Sequence, residues 1–592
     1  MKFCGYCGQK MEATNKFCPS CGKPSRGVEE AAAVEVVRQT PSSIPPTEPK
    51  KGFSKKWVII VALAVIIVGG SSAFTMFLNK NPKELYLLSE FKSYTSMVDE
   101  YKEKYGEDLD FQKELLESPS SSEVKISGNL DIENEDSYEM EMFKEILDQT
   151  TLILQTNQDP KEQEGHYKLA LEVEGSNLAD VELVQTKTQA GLRIPFLYDQ
   201  FFYLNFDEYG NFMRMIDPYY SGPETLELDG MNWDELKLSE KELKGIKERY
   251  SKFFLSVLED ENFSLEKGVK LEHEGETIKV REITFELSPK EVKGLFNKFF
   301  DHLIEDKELQ KLMANRAIKI AEAASLEEEI DSEYLNQDYL VDELKSGLQE
   351  AKSALDEVQF PKGFKSVILI DKKEQIVSRE IEFAIGDEYQ IMEFDVGTKN
   401  IPYDKNKKFK ELKIELAPED QEDGKMILGY SNIIATGDNK RTEDMKANFY
   451  FDEYGETQFD IQLSLNSIFK GKDSSKQTIE REFDLNIAGD EFYDEPVING
   501  RIIEEKDISV KDKYANQKFD IQTSIFDGYD SGTITLIVDS KTDLKNKLDI
   551  PKLDGNEGRN ITELTEYDYY EIMEEVQYRL EDIVEQMGIN YY

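Results

Sequence analysis

Between Trp57 and Leu78 the chain runs through 22 residues without one charged side chain. As a helix rising about 1.5 Å per residue, this stretch is roughly 33 Å long, enough for the hydrocarbon layer of a bilayer. It is apolar around its whole circumference, including the run Val58–Val68, whereas a surface helix keeps a polar side. Trp57 and Phe77 stand where interfacial aromatics belong. A cleaved signal peptide would open the chain rather than follow some fifty other residues. The stretch therefore predicts one uncleaved membrane span. Lys50, Lys51, Lys55 and Lys56 precede it, which predicts a cytoplasmic N-terminus and an extracytoplasmic remainder in the cell membrane.

All 4 cysteines lie ahead of that stretch, as Cys4-Gly-Tyr-Cys7 and Cys18-Pro-Ser-Cys21. Two residues between thiols let one tight turn present both sulfurs to a single ion. Four thiolates at such spacings suit a closed, tetrahedral and structural Zn²⁺ site with no position left for a reacting water. A redox pair would need a thioredoxin-like βαβ unit, which so short a segment lacks. Beyond the span there is no cysteine, so lipoprotein processing and disulfide staples are both excluded there.

Charge divides the chain in the same way. The whole carries 72 Lys+Arg against 120 Asp+Glu, a formal net charge of −48. Residues 1–80 hold 11 basic and 5 acidic residues, leaving 61 against 115 in the rest. An anionic surface of that size repels phosphate backbones, so nucleic acid is not an expected partner. Aromatic residues make up 11% of the chain, enough to build cores in its long second part.

That second part opens with Leu85, Leu88, Phe91, Tyr94, Met97 and Tyr101 at helical spacing, predicting a stalk helix that ends near Gly106. From Val124 the pattern turns to alternation, as in Lys125–Ile132, Tyr167–Val173, Asp180–Thr186 and Thr277–Leu287. Helical patterns interrupt it at 240–258 and after Ser288-Pro289-Lys290-Glu291, a capping box with Pro at the first helical position. Another runs through Leu344, Leu348, Ala351, Leu355 and Val358, and a last one closes the chain from Tyr569 to Met587. Residues 409–550 are dominated by strands. Short echoes, such as Phe206–Gly210 with Phe451–Gly455 and Phe459–Gln462 with Phe519–Gln522, leave duplication and chance both open.

The fold class expected is multidomain α+β: a zinc ribbon at 1–24, a flexible linker at 25–56, the transmembrane helix at 57–78 and a helical stalk at 79–118. Beyond them, antiparallel curved sheets backed by helices fill an α+β domain at 119–390 and a β-rich domain at 391–592. The cysteine pairs resemble the short zinc-ribbon family, and the whole plan is similar to Gram-positive single-pass membrane proteins of the YvbJ type. The strand rhythm also resembles curved-sheet lipoprotein carriers.

Catalytic signals are sparse. His166, His273 and His302 sit in separate elements, and no P-loop, G-x-S-x-G or G-x-G-x-x-G is present. Asp527–Asp530 and Asp554–Gly558 do not match an EF-hand and read as turns rather than calcium sites. The sequence thus points to a membrane-anchored, non-enzymatic cell-envelope protein. It would bind a ligand or protein partner outside, and signalling through one helix would require oligomerisation. The alternative is a carrier or chaperone for a lipid-like ligand, and a wall hydrolase would need converging carboxylates.

Overall fold

The computed structural model describes residues 2–3, 10–11, 81–132, 138–226, 238–323, 334–419, 424–490, 496–526, 531–545, 547–555 and 557–586. The chain divides into two compact units after Val58. Of the first, only a hairpin is described: β1 (Lys2–Phe3) and β2 (Lys10–Met11) run antiparallel, with Lys2 opposite Met11 and Phe3 opposite Lys10. The four cysteines, the linker at 25–56 and the apolar stretch at 57–78 lie outside the described residues.

The second unit begins with α1 (Pro82–Glu117). Asn81 caps it by accepting a bond from the Glu84 amide at 2.8 Å, and Pro82 fills a first-turn position that needs no donor. The helix passes straight through Gly106, where the sequence predicted its end, and stops before Pro119. After it come β3 (Ser120–Ile132), α2 (Tyr138–Asp148) and a meander of β4 (Thr150–Asp159), β5 (Glu164–Val173), β6 (Ser176–Gln185), β7 (Gln189–Ile194) and β8 (Tyr198–Asn205). Two helices, α3 (Tyr209–Ile216) and α4 (Glu240–Val257), lead to β9 (Phe263–His273) and β10 (Glu276–Leu287). A helical insert of α5 (Pro289–Glu305), α6 (Lys307–Ala323) and α7 (Gln337–Ala354) precedes β11 (Phe364–Ile370) and β12 (Ile376–Gly386).

A second, longer meander follows: β13 (Ile391–Tyr403), β14 (Lys407–Pro418), β15 (Lys425–Thr436), β16 (Lys440–Glu453), β17 (Glu456–Lys472), β18 (Lys476–Ala488), β19 (Val497–Ser509), β20 (Tyr514–Phe526) and β21 (Ser531–Leu544). The short β22 (Gly558–Asn560) and α8 (Glu566–Gln586) close the described chain.

Strands β3 to β22 belong to one sheet. In pairing order it runs from β9 through β21, then β3 through β8, and finally β22, which alone pairs parallel. Its ladder is not a closed ring, because among the described residues β9 pairs with β10 alone and β22 with β8 alone. Two-residue turns set several registers. Glu174-Gly175, Glu274-Gly275 and Tyr454-Gly455 all have positive φ at both positions, the backbone that joins twisted antiparallel strands most directly.

The expected fold class is therefore corrected. In place of a multidomain α+β chain with a zinc ribbon, one transmembrane helix and separate curved sheets, the described body is a single, mostly β sheet. Helical inserts read as boundaries in the sequence, but antiparallel pairing needs only that flanking strands meet again. Thus β10 pairs directly with β11 across the whole helical insert, with Ile283 opposite Ile368. Among the described residues no helix is long and apolar enough to cross a membrane.

The main core sits where α4, α5 and α7 cover β9–β12. Ile283, Ile368, Ile370, Leu355 and Phe296 are fully buried there, and the Phe263 and Phe285 rings stack at 4.5 Å between centroids. Tyr86 of α1 enters the same cluster and shares a hydrogen bond with Ser366 at 2.8 Å. The capping box at Ser288 forms as the sequence predicts, its hydroxyl accepting from the Glu291 amide while the Glu291 carboxylate accepts from the Ser288 amide. Gly363 turns the chain into β11 with φ +67°, and a Cβ there would fall 2.1 Å from the Leu287 carbonyl oxygen. Phe296→Ala is expected to cost about 3–5 kcal/mol in chemical denaturation, by transfer and cavity terms together. Leu463→Ala, on the half-buried part of the sheet, is expected to cost well under half as much.

Candidate functional site

Side chains alternate along a strand, so the register, shifted at local bulges such as Val280/Arg281 and Phe451/Asp452, sorts the strands into two faces. On one face a row of apolar residues crosses seven strands, each directly opposite the next: Ile381, Val396, Ile414, Leu428, Phe449, Ile461 and Ile487. A neighbouring row continues it through Leu465, Phe483, Gly500, Thr523, Ile534 and Leu130. Across the first meander the same face carries Ile126, Leu152, Leu171 and Ala179 in one row. The opposite face carries most of the charge, with a small apolar cluster of Val184, Phe201 and Leu553 over β6–β8. Glu382, Asp395 and Glu415 stand side by side on β12, β13 and β14, and Asp444, Asn466 and Glu482 do so on β16, β17 and β18.

Among the described residues, α4, α5 and α7 cover the apolar face over β9–β12, and α1 crosses one end of it, where Ile434, Ile479 and Ile508 are buried. By contrast, Leu154, Leu169, Leu183, Leu192, Leu428, Ile525 and Ile534 keep 38–46% of their surface exposed.

Helix α1 seals one end of that face. Lys92 pairs with Glu374 at 2.7 Å beside β12, Glu90 with Arg379 on β12, and Glu100 with Lys410 and Lys408 on β14 at 2.6 and 3.3 Å. Further along, Lys104 reaches Glu443 on β16 at 3.3 Å and Asp108 reaches Lys506 on β19 at 2.9 Å. Phe111 then packs on Ile508 and Leu544. From Glu90 to Asp108 the helix rises about 27 Å while seven strands go by, roughly 4 Å per strand against a strand spacing of 4.7–4.9 Å. The helix therefore lies nearly perpendicular to the strands.

These charges occupy apolar-face positions. Lys410 shares the parity of Leu412, Ile414 and Leu416, and Glu443 that of Met445, Ala447 and Phe449. Sequence reading missed them as site residues, although the signal was present: an alternating strand whose apolar parity changes to charge near one end.

Burial raises the Glu90 carboxyl above the ordinary range, with Arg379 opposing it. At Glu100 burial also pushes upward, but hydrogen bonds and charge from Lys410 and Lys408 outweigh it and hold the carboxyl below its usual value. Burial lowers the Lys408 ammonium, and its neighbours Lys410 and Lys104 add to the effect against the pull of Glu100.

The residues singled out in the sequence do not converge. Cys4, Cys7, Cys18 and Cys21 lie outside the described residues. His166 joins Glu182 at 3.0 Å on the charged face, in a cluster with Arg193 and Lys168. His273 stacks on Phe409, and His302 stacks on Phe253. Asp527–Asp530 is outside the described residues, as is Asn556 within the other acidic turn. Among the described residues no group of three metal-ligating side chains is placed to hold an ion. Three cavities, of about 510, 790 and 410 Å³, are all lined mainly by charged and polar residues. None is the enclosed apolar chamber that a lipid-like ligand would fill.

No family model matches the chain, and no curated protein matches it. Solved structures that match include OpdQ and OccK9 (OpdG) of Pseudomonas aeruginosa and a BenF-like porin from Pseudomonas fluorescens Pf-5. Each is 6% identical over 72% of this chain and 98% of its own, with TM-scores of 0.22, 0.24 and 0.24. Superposition at that level fixes neither shape nor activity. The BenF-like neighbour is named a porin, not an enzyme.

Several expectations are corrected by these findings. The resemblance to single-pass zinc-ribbon proteins of the YvbJ type finds no matching family model, and the described body is one mostly β sheet. A ligand-binding envelope protein on a single-pass anchor, a lipid-like carrier and a cell-membrane location with one helical crossing are set aside with it. So are the partners inferred from that plan. The physical reason is that a helix-anchor reading gave the strands no part in the protein's relation to its surroundings, whereas one face of the sheet leaves aliphatic side chains 38–46% exposed.

Glu100 supplies a test of the α1 seam. A carboxyl held low in the folded state contributes stability above its unfolded pKa, and loses it as pH falls through the folded value. Glu100→Gln should destabilise by about 1 kcal/mol at pH 7. In urea titrations the difference from the parent should shrink below about pH 4.

Proposed function

We propose that the described body works passively, as a wall of strands that turns its apolar face to hydrocarbon and its charged face to water. The observation that carries this reading is the exposed part of the apolar face, away from α4, α5, α7 and the α1 crossing. Seven of its aliphatic side chains, on β4–β7, β15, β20 and β21, keep 38–46% of their surface exposed, and apolar exposure collected on one face favours an interaction surface. Strand walls suit such a role away from their edges, because there each strand's backbone donors and acceptors pair with its two neighbours. The opposite face, with its rows of carboxylates, remains hydrated. Catalysis is not part of this reading.

The test places a fluorophore on each face. In a background with Trp57→Phe and Trp233→Phe, Leu463→Trp reports from the apolar face and Gln462→Trp from the charged one. With vesicles of brominated phosphatidylcholine, emission from Leu463→Trp should fall by about half or more, and that from Gln462→Trp should not change. Equal quenching of both, or of neither, would overturn the proposal.

Metal binding by the N-terminal thiols is a separate proposal. Strands β1 and β2 pair antiparallel on either side of Cys4-Gly-Tyr-Cys7 in the sequence, and two residues between thiols suit the binding of one ion. With Cys18 and Cys21 these would hold one structural Zn²⁺. Elemental analysis of the full chain should give one zinc per chain, lost in Cys4→Ser/Cys7→Ser; a metal-free parent would refute it.

A further inference from the structure

Where α1 crosses β14 and β16, a cleft of about 510 Å³ opens between the helix and the strand ends. Its wall gathers Lys104 from the helix with Lys408 from β14 and Arg441 from β16. Behind Lys408 stands Lys410, and the three ammonium groups converge on one carboxylate. Glu100 lies 2.6 Å from Lys410, 3.3 Å from Lys408 and 3.9 Å from Lys104. Arg441 is divided between Glu443, at 2.9 Å, and Asp473. Lys405, Lys407 and Lys440 also line the cleft, with Glu103 and Asp438, so seven cations share five carboxylates there, within a chain whose overall charge is −48. Such a concentration runs against the composition, and burial already strains it. Desolvation and mutual repulsion disfavour the Lys408 charge even with Glu100 in place.

We infer that this cleft is an oxyanion site that recognises a phosphate group. A tetrahedral dianion would supply the missing negative charge and offer several acceptors to ammonium donors on different elements. Lysines suit it as point charges, and the Arg441 guanidinium adds a forked donor. The cleft volume admits the anion together with the group that carries it. The carrier is either a free solute or the headgroup of a phospholipid, and the two share this chemistry. This inference stands on the cleft alone and does not depend on the apolar face meeting hydrocarbon.

The experiment titrates the full chain with inorganic phosphate at low ionic strength by calorimetry, and in parallel measures flotation with phosphatidylglycerol and phosphatidylcholine vesicles. Saturable phosphate binding is expected, weakened at least tenfold in Lys408→Gln/Lys410→Gln and unchanged in Lys518→Gln, on the charged face. Flotation with phosphatidylglycerol that phosphate competes away would identify a headgroup as the carrier; phosphate binding without such flotation would identify a free solute. In the parent protein, NMR of ¹³C-methylated lysines should show the Lys408 amine titrating below the ordinary lysine range and moving upward when phosphate is added. That readout holds if the double variant fails to fold. No saturable binding at millimolar phosphate, or binding that survives the double variant with every lysine titration unmoved, would overturn the inference.

Discussion

Register is the constraint on which this structure depends. Slipping one strand by a single residue would move its whole apolar set to the charged face and place carboxylates among leucines. The cost of such a slip is repeated at every strand, because each row of side chains is shared with two neighbours. Ile414, for example, faces Val396 on one side and Leu428 on the other. The sheet therefore holds its two faces apart by many small, mutually dependent contacts. Among the described residues its most extensive core lies over β9–β12, under α4, α5 and α7, with smaller clusters at Phe111 and at Phe201.

Helix α1 adds a second constraint at right angles to the first. Successive helical turns meet successive strands, so its charged side chains fix the stagger of strands far apart in sequence. The pairs differ in worth. Exposed ones contribute on the order of 0–1 kcal/mol. Glu90–Arg379 and Asp108–Lys506 are nearly buried, and removing one partner from such a pair costs about 3–5 kcal/mol by stranding the other charge. The same seam that orders the strands collects the cations of the phosphate cleft, so positioning and recognition share residues there.

Much of the local structure was legible in the sequence. Alternation located β3, β5, β6, β10 and most of the second meander, and Ser288-Pro289-Lys290-Glu291 marked the start of α5. What could not be read was which strands meet. Pairing of β21 with β3 joins residues some four hundred positions apart, and no local pattern announces it. The echo of Phe206–Gly210 in Phe451–Gly455 also proved uninformative, since the first begins a helix and the second makes a hairpin turn. The charged positions under α1 were visible as breaks in parity, but a single strand does not say whether such a break faces solvent or a helix. Their role needed the third dimension.

The two-faced wall is tested most directly by nitroxide scanning along β17, from Gln458 to Asn466, in the presence of phosphatidylcholine vesicles. Accessibility to oxygen and to a water-soluble nickel complex should oscillate with a period of two and out of phase, oxygen peaking at Phe459, Ile461, Leu463 and Leu465. In-phase oscillation, with both reagents favouring the same residues, would contradict the account.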